Sequence, residues 1–206
     1  MRVLVACEFS GVVRDAFLAL GHDAISCDLL PTESPGPHVT GDVRPMLREP
    51  WDLVVAHPPC TYLTKSGVRW LYDDRYRLRW QDLIEGATFF RDCLNANAPM
   101  VAVENPQMHG WAHKIVGSKA TQYVQPWMFG HPESKGTGLW LRGLPPLIAT
   151  EDVRAVMESL PRNESHRTHY QPPGADRGKR RSVTFPGIAQ AMAEQWAGPA
   201  IQEAVA

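Results

Sequence analysis

Apolar positions along the first hundred residues alternate between short β-branched runs and longer stretches of helical period. Val3, Leu4 and Val5, within Arg2 to Cys7, make a run of the kind that fills a parallel strand covered on both faces. Gly11 to Leu20 carries Val13, Phe17 and Leu20 at helical spacing and stops at Gly21. A second strand is predicted over Ala24 to Cys27, ending at Asp28, with a proline-rich loop from Pro31 to Pro37 after it. Gly41-Asp42-Val43 reads as the end of a third strand, or a turn, before a short helical stretch. Asp52 to Ala56 is the next buried strand, which Pro58 and Pro59 stop by fixing φ. Leu83, Ala87, Phe90 and Leu94 give one apolar face to a helix from about Leu78 to Asn95, and a strand Met100 to Val103 closes at Glu104-Asn105-Pro106. This succession predicts an α/β fold with a doubly wound, mostly parallel sheet.

After Pro106 the pattern loosens. Gly and Pro become frequent, and two strands, Gln122 to Met128 and Gly138 to Leu141, are expected to form an antiparallel hairpin on the sheet edge. A helix is expected over Glu151 to Leu160, then a polar, turn-rich and mobile stretch from Pro161 to Lys179. Ile188, Met192 and Trp196 stripe a last helix over Gly187 to Trp196. At 206 residues the chain suits one domain.

With 44% hydrophobic and 21% charged residues, composition is that of an ordinary globular protein. No apolar run reaches bilayer length, and the amino terminus enters a strand directly, without a signal-peptide pattern. A cytoplasmic protein with no membrane partner is therefore expected. A net charge of −1 leaves no global footprint for nucleic acid, so such a partner needs local patches. Between Lys65 and Arg79, five cations interleave with Trp70, Tyr72, Tyr76 and Trp80, a mixture of charge and stacking surface that suits a nucleic-acid strand. Arg177-Gly178-Lys179-Arg180-Arg181 is the other patch, equally readable as a solvated loop. The four cysteines show no C-x-x-C pairing and no zinc-ligand spacing, so neither metal nor a disulfide framework is expected. Cys7, Cys27 and Cys93 read as small buried hydrophobes, whereas Cys60 sits in a turn.

Asp28, Cys60 and Glu104 follow the second, fourth and fifth strands, and right-handed crossovers bring all three to one sheet edge. A thiol and a carboxyl facing one pocket can attack an electron-poor ring, the sulfur bonding to carbon while the carboxyl protonates ring nitrogen. That pairing suits a pyrimidine. His57 either lowers the thiol pKa or points away from it, and Asp42 either binds a ligand or caps the helical stretch after it.

These residues resemble the motifs of the DNA cytosine-5 methyltransferases. Phe9-Ser10-Gly11 is similar to that family's cofactor turn, Pro58-Pro59-Cys60 through Ser66-Gly67 to its catalytic loop, and Glu104-Asn105 to its cytosine-binding pair. The resemblance implies a Rossmann-like S-adenosylmethionine-dependent methyltransferase fold, with residues 1–105 as the cofactor and catalytic half and residues 106–206 supplying edge strands, substrate loops and the last helix. It implies Cys60 and Glu104 as catalytic residues and Phe9, Gly11, Asp28, Asp42 and Pro58 around S-adenosylmethionine. Asn105, Ser66, Arg69, Arg180 and Arg181 would meet the substrate, either duplex DNA with a flipped cytosine or a single strand. The turn lacks the family's later glycine, Pro106 replaces a small aliphatic residue, and the stretch between Pro106 and Arg181 is too short for a recognisable target-recognition domain. Short phage-type members, relaxed sequence specificity and a partner subunit for recognition are the corresponding expectations. The same chemistry on a free deoxycytidine nucleotide, and a noncatalytic binding protein on this scaffold, stand as alternatives.

Overall fold

A computed structural model describes residues 1–198. Its seven-stranded sheet has the order β3-β2-β1-β4-β5-β7-β6. The strands are β1 (Arg2–Ala6), β2 (Asp23–Asp28), β3 (His38–Thr40), β4 (Leu53–Ala56), β5 (Met100–Pro106), β6 (Gln122–Val124) and β7 (Thr137–Arg142). β1 to β5 run parallel, whereas β7 is antiparallel to both β5 and β6. The result is the predicted doubly wound α/β sheet with antiparallel strands at one edge. β1 is flanked by β2 and β4, so the strand order reverses there and opens a crevice beyond the carboxyl ends.

Alternation along each strand divides the core into two layers. Leu4, Val54, Ala56, Val101 and Val103 pack beneath α2 (Arg79–Leu94), through Leu83, Ala87 and Phe90. Val3, Val5, Leu53, Val55 and Ala102 face the opposite way, toward Phe17 of α1 (Val12–Ala19) and the carboxyl-terminal helix Pro186–Trp196. Phe17 and Phe90 are fully buried on opposite faces, each contributing about 3 kcal/mol by the usual transfer scale.

The later half corrects several expectations. The strand expected over Gln122 to Met128 stops at Val124, because Pro126 lacks a ladder N–H and instead opens a 3₁₀ turn, Pro126–Met128. β7, the later strand of the hairpin, lies inside and pairs with β5, which extends β5 through Glu104 and Asn105 to Pro106. A helix not expected at all, α3 (Gly110–Val116), is capped by the His109 side chain accepting from Ala112 N–H and ends at left-handed Gly117. The helix expected from Glu151 begins only at Arg154, as α4 (Arg154–Ser159), since Phe129 bridges Glu151 and Asp152 turns the chain by accepting from Arg154 N–H. The Pro161 to Lys179 stretch contains α5 (Arg162–Ser165) and leads into α6 (Arg177–Ser182), with α7 (Pro186–Trp196) closing the described chain. Backbone bonds from Ser134 to Ser165 and from Thr168 to the Glu133 carboxylate anchor this stretch to the loop before β7.

Candidate active site

The site grows out of strand register. Ala56 stands beside Val103 in the β4–β5 ladder, so the next residues, His57 and Glu104, fall side by side on the same face. His57 Nδ1 lies 3.4 Å from Glu104 Oε2, with the side chains 7% and 18% exposed. Buried Pro58 and exposed Pro59 then end the ladder, and Cys60 begins a tight turn in which its carbonyl accepts N–H bonds from Leu63 and Thr64. The thiol is half-buried.

Burial pushes the Cys60 thiol above its ordinary value and the Glu104 charge adds to that, while Lys135 and Arg181 pull it back. Glu104 behaves oppositely. Burial disfavours its charge, but the His57 hydrogen bond and the Lys135 charge outweigh burial and hold the carboxyl below the ordinary range. Near neutral pH the resting pair is a protonated thiol and an ionised carboxylate. His57 thus serves Glu104, and the thiol is raised rather than lowered.

Lys135, in the connection before β7, donates from Nζ to the Arg181 carbonyl at 2.9 Å. Among the described residues, the buried Nε of Arg181 has no hydrogen-bond partner. His57 Nε2 and Asn105 Oδ1 are also buried without partners. Each such group costs about 1–3 kcal/mol, and two of them, on His57 beside Glu104 and on Arg181 whose charge reaches Cys60, are left open to a ligand's polar atoms. Asn105 is fully buried, on the opposite face of β5 from Glu104, and its amide donates to the Pro106 carbonyl.

Farther along the same edge, β1 ends in a turn at Gly11, whose φ of 77° suits glycine. The buried Glu8 carboxylate takes the N–H groups of Val13 and Arg14 at 2.6 and 3.2 Å, so the amino end of α1 already holds its own anion. Arg14 is fully buried too, and its guanidinium donates to the Ser34, Pro35 and Pro37 carbonyls, tying the proline-rich loop onto the turn. Phe9 is buried, with Lys179 of α6 5.0 Å above its ring and 2.6 Å from Glu33. Asp28 accepts from Leu30 N–H at 2.9 Å. Exposed Asp42 binds the Arg44 N–H and guanidinium, which hold its carboxyl below the ordinary range.

Cys60, Glu104 and Arg181 therefore come together on one side, and Phe9, Gly11 and Asp28 on the other. Ser66 and Arg69 lie out on the 3₁₀ helix Lys65–Tyr72, where Ser66 meets Thr64 and Arg69 covers Trp70. Arg180 turns away to Gln171 and Pro172. The charge that Lys135 brings to Cys60 and Glu104 has no motif signal in the sequence. The role of His57, just past the end of β4, was legible only as two alternatives, and that of Glu8, two residues past β1, was not read from the sequence at all.

No protein-family profile and no curated protein matches the chain. Among solved structures, it is similar to a DNA modification methyltransferase encoded within an E. coli prophage, at 14% identity over 79% of this chain and 56% of that one, TM-score 0.43. It is also similar to the S. pombe Dnmt2 methyltransferase, at 14% identity over 85% and 61%, TM-score 0.41. A mutant of Spodoptera frugiperda DNMT2 aligns at 16% identity over 74% and 54%, TM-score 0.35. The chain spans 54–61% of the length of these proteins. A likeness this distant assigns no function.

Proposed function

We propose that the protein transfers a methyl group from S-adenosylmethionine to carbon 5 of cytosine in DNA through a covalent Cys60 adduct, with relaxed sequence specificity. The observation that carries this is the coupled pair of Cys60 and Glu104 at the carboxyl edge of adjoining elements, with His57 and Lys135 tuning it. The turn after β1 supports the choice of cofactor. Glu8 occupies the helix end that a dinucleotide's phosphates need, which favours a nucleoside cofactor without phosphate. Phe9, Gly11, Asp28, Asp42 and Pro58 would hold that cofactor, and it would supply an electrophilic methyl group.

In the reading proposed, Cys60 Sγ bonds to carbon 6 of the ring and the C5=C6 electron pair shifts to C4=C5 as nitrogen 3 gains a proton. One proton leaves the thiol and one arrives on nitrogen 3, so Glu104 can relay it and finish the step ionised as it began. Carbon 5, now electron-rich, would displace the methyl carbon from the cofactor's sulfonium sulfur, that C–S bond breaking and the neutral thioether S-adenosylhomocysteine leaving as the new C–C bond forms. Carbon 5 then loses its proton to water, Sγ departs, and the nitrogen 3 proton returns through Glu104 to the sulfur. Arg181 is proposed to hold the base, and Asn105, buried on the far face of β5, to shape the pocket only by fixing the chain at Pro106. Relaxed specificity fits the segment between Pro106 and Arg181, which α3, β6, β7 and the short helices α4, α5 and α6 take up.

DNA containing 5-fluorocytosine should trap the protein covalently in the presence of S-adenosylmethionine, and Cys60→Ser should abolish the adduct. Nucleoside mass spectrometry should find 5-methylcytosine. Labelling of free dCMP but not of DNA would move the substrate to the nucleotide, and cofactor-dependent binding without any adduct would leave a noncatalytic scaffold.

A further inference from the structure

The two chain segments that leave the sheet beside the reacting residues, one after Cys60 and one after Glu104, meet again outside it. Lys65 N–H donates to the Gln107 carbonyl, His109 N–H to the Leu63 carbonyl, and Thr64 bridges Met108. Beyond that seam, Trp111 Nε1 donates to the Tyr72 hydroxyl at 2.7 Å, and Trp80 meets Tyr72 and Trp111 edge-on at 6.0 and 5.5 Å. Such rings usually bury most of their area. Here Tyr72 is 67% exposed, Tyr76 45% and Trp111 40%.

Cations run through the cluster. Arg69 and Lys114 lie over the Trp70 and Trp111 rings, while Lys65 and Arg77 make no ion pair among the described residues. A cleft of about 510 Å³ adjoins the cluster, its lining including Arg75, Arg77 and Arg79 against Asp74 and Asp82, with the Tyr62 and Tyr76 rings beside them, and Arg79 donates to the Thr61 carbonyl, one residue from Cys60. Exposed rings interleaved with unpaired cations match a polyanion whose bases present free π-faces, which a stacked duplex interior does not offer.

We infer that this aromatic surface, formed by residues 70–80 together with Trp111, binds single-stranded nucleic acid by stacking the bases next to the one presented to Cys60. The inference rests on the function proposed above and adds the form of nucleic acid and the surface that receives it. Its test is fluorescence anisotropy of the full chain with a labelled 15-nucleotide oligo(dT) and the matching dA·dT duplex at fixed salt.

The single strand should bind more tightly than the duplex. Trp111→Ala and Tyr76→Ala should each weaken it about five-fold or more, Trp111→Phe should restore most of the loss, and Arg77→Gln should flatten the salt dependence by about one phosphate contact. Circular dichroism melts identify any variant that loses its fold, and Tyr72→Ala, at the most exposed ring, then replaces it. Equal binding by the aromatic variants, or preference for the duplex, overturns the inference. The 5-fluorocytosine adduct separates the two claims: stacking-dependent strand binding without an adduct upholds the surface and removes the chemistry, whereas an adduct with unaffected aromatic variants does the reverse.

Discussion

At the β4–β5 end of the sheet, His57 and Lys135 act on the charge of Glu104, and Glu104 and Lys135 on that of Cys60, in a half-buried space, whereas at the β1–β2 end the acids are occupied by the backbone around them. Glu104 is ionised against its burial by two named neighbours. Asp28, by contrast, holds a turn, and Asp42 holds Arg44. The Phe9 ring is covered by Lys179, whose ion pair with Glu33 is solvent-accessible and so contributes at most about 1 kcal/mol. One side is thus organised before any ligand arrives, and the other is closed by a contact weak enough to be displaced.

The sharpest probe of this asymmetry is substitution on the organised side. Glu104→Gln should lower methyl transfer by about 10²–10⁴-fold, read from 5-methylcytosine formation. Asp28→Asn should raise the KM for the cofactor by a much smaller factor and leave kcat near wild type. Equal losses in the two variants would erase the distinction between the sides. Arg14→Met strikes the scaffold of the other side, removing the donors that tie down the part-buried carbonyls of the proline-rich loop, and should cost about 1–3 kcal/mol in urea unfolding with little change in Cys60 reactivity.

Charge coupling gives a finer test through pH. Because the Cys60 thiol is raised, its iodoacetamide reaction should be slower than that of a free thiol at pH 8 and climb as pH rises through the thiol's folded value. Glu104→Gln removes a raising charge and should move that climb to lower pH, while Lys135→Ala removes a lowering charge and should move it higher. Mass-spectrometric alkylation rates at Cys60 distinguish these directions. The smallest effect belongs to Lys179→Ala, which uncovers Phe9 and should tighten S-adenosylmethionine binding less than ten-fold by calorimetry; weaker binding would instead make Lys179 part of the cofactor site.

Strands β1, β2, β4 and β5 were legible because they are apolar runs whose ends are marked by Gly11, Asp28, Pro58 and Glu104, whereas β3, an exposed His-Val-Thr edge strand, ends at Thr40, just before the Gly41-Asp42-Val43 turn. Past Pro106 the determinants are pairings between distant residues. Nothing local in Gly110–Val116 announces a helix, since its cap is a histidine and its length is seven residues. β6 is cut short by Pro126, which the apolar run around it concealed. At the site, Cys60 and Glu104 stood out by residue type and position, but Lys135 did not, because its influence depends on α6 returning to lie beside it. His57 was ambiguous for the same reason. A histidine after a strand has two faces to choose from, and only its alignment with Glu104 decides between them.

That alignment works like a caliper. The interval between histidine and carboxylate is measured by the ladder of β4 and β5, while the segments leaving beyond Cys60 and Pro106 touch each other outside the sheet and do not fix that interval. The chemistry and the surface that greets a substrate are therefore separable parts of one chain. Residues 65–80 and 107–114 form a head rooted in the core by Leu71, Met108 and Ala112, so that only its exposed residues are free to alter what is approached without disturbing the interval that the ladder measures.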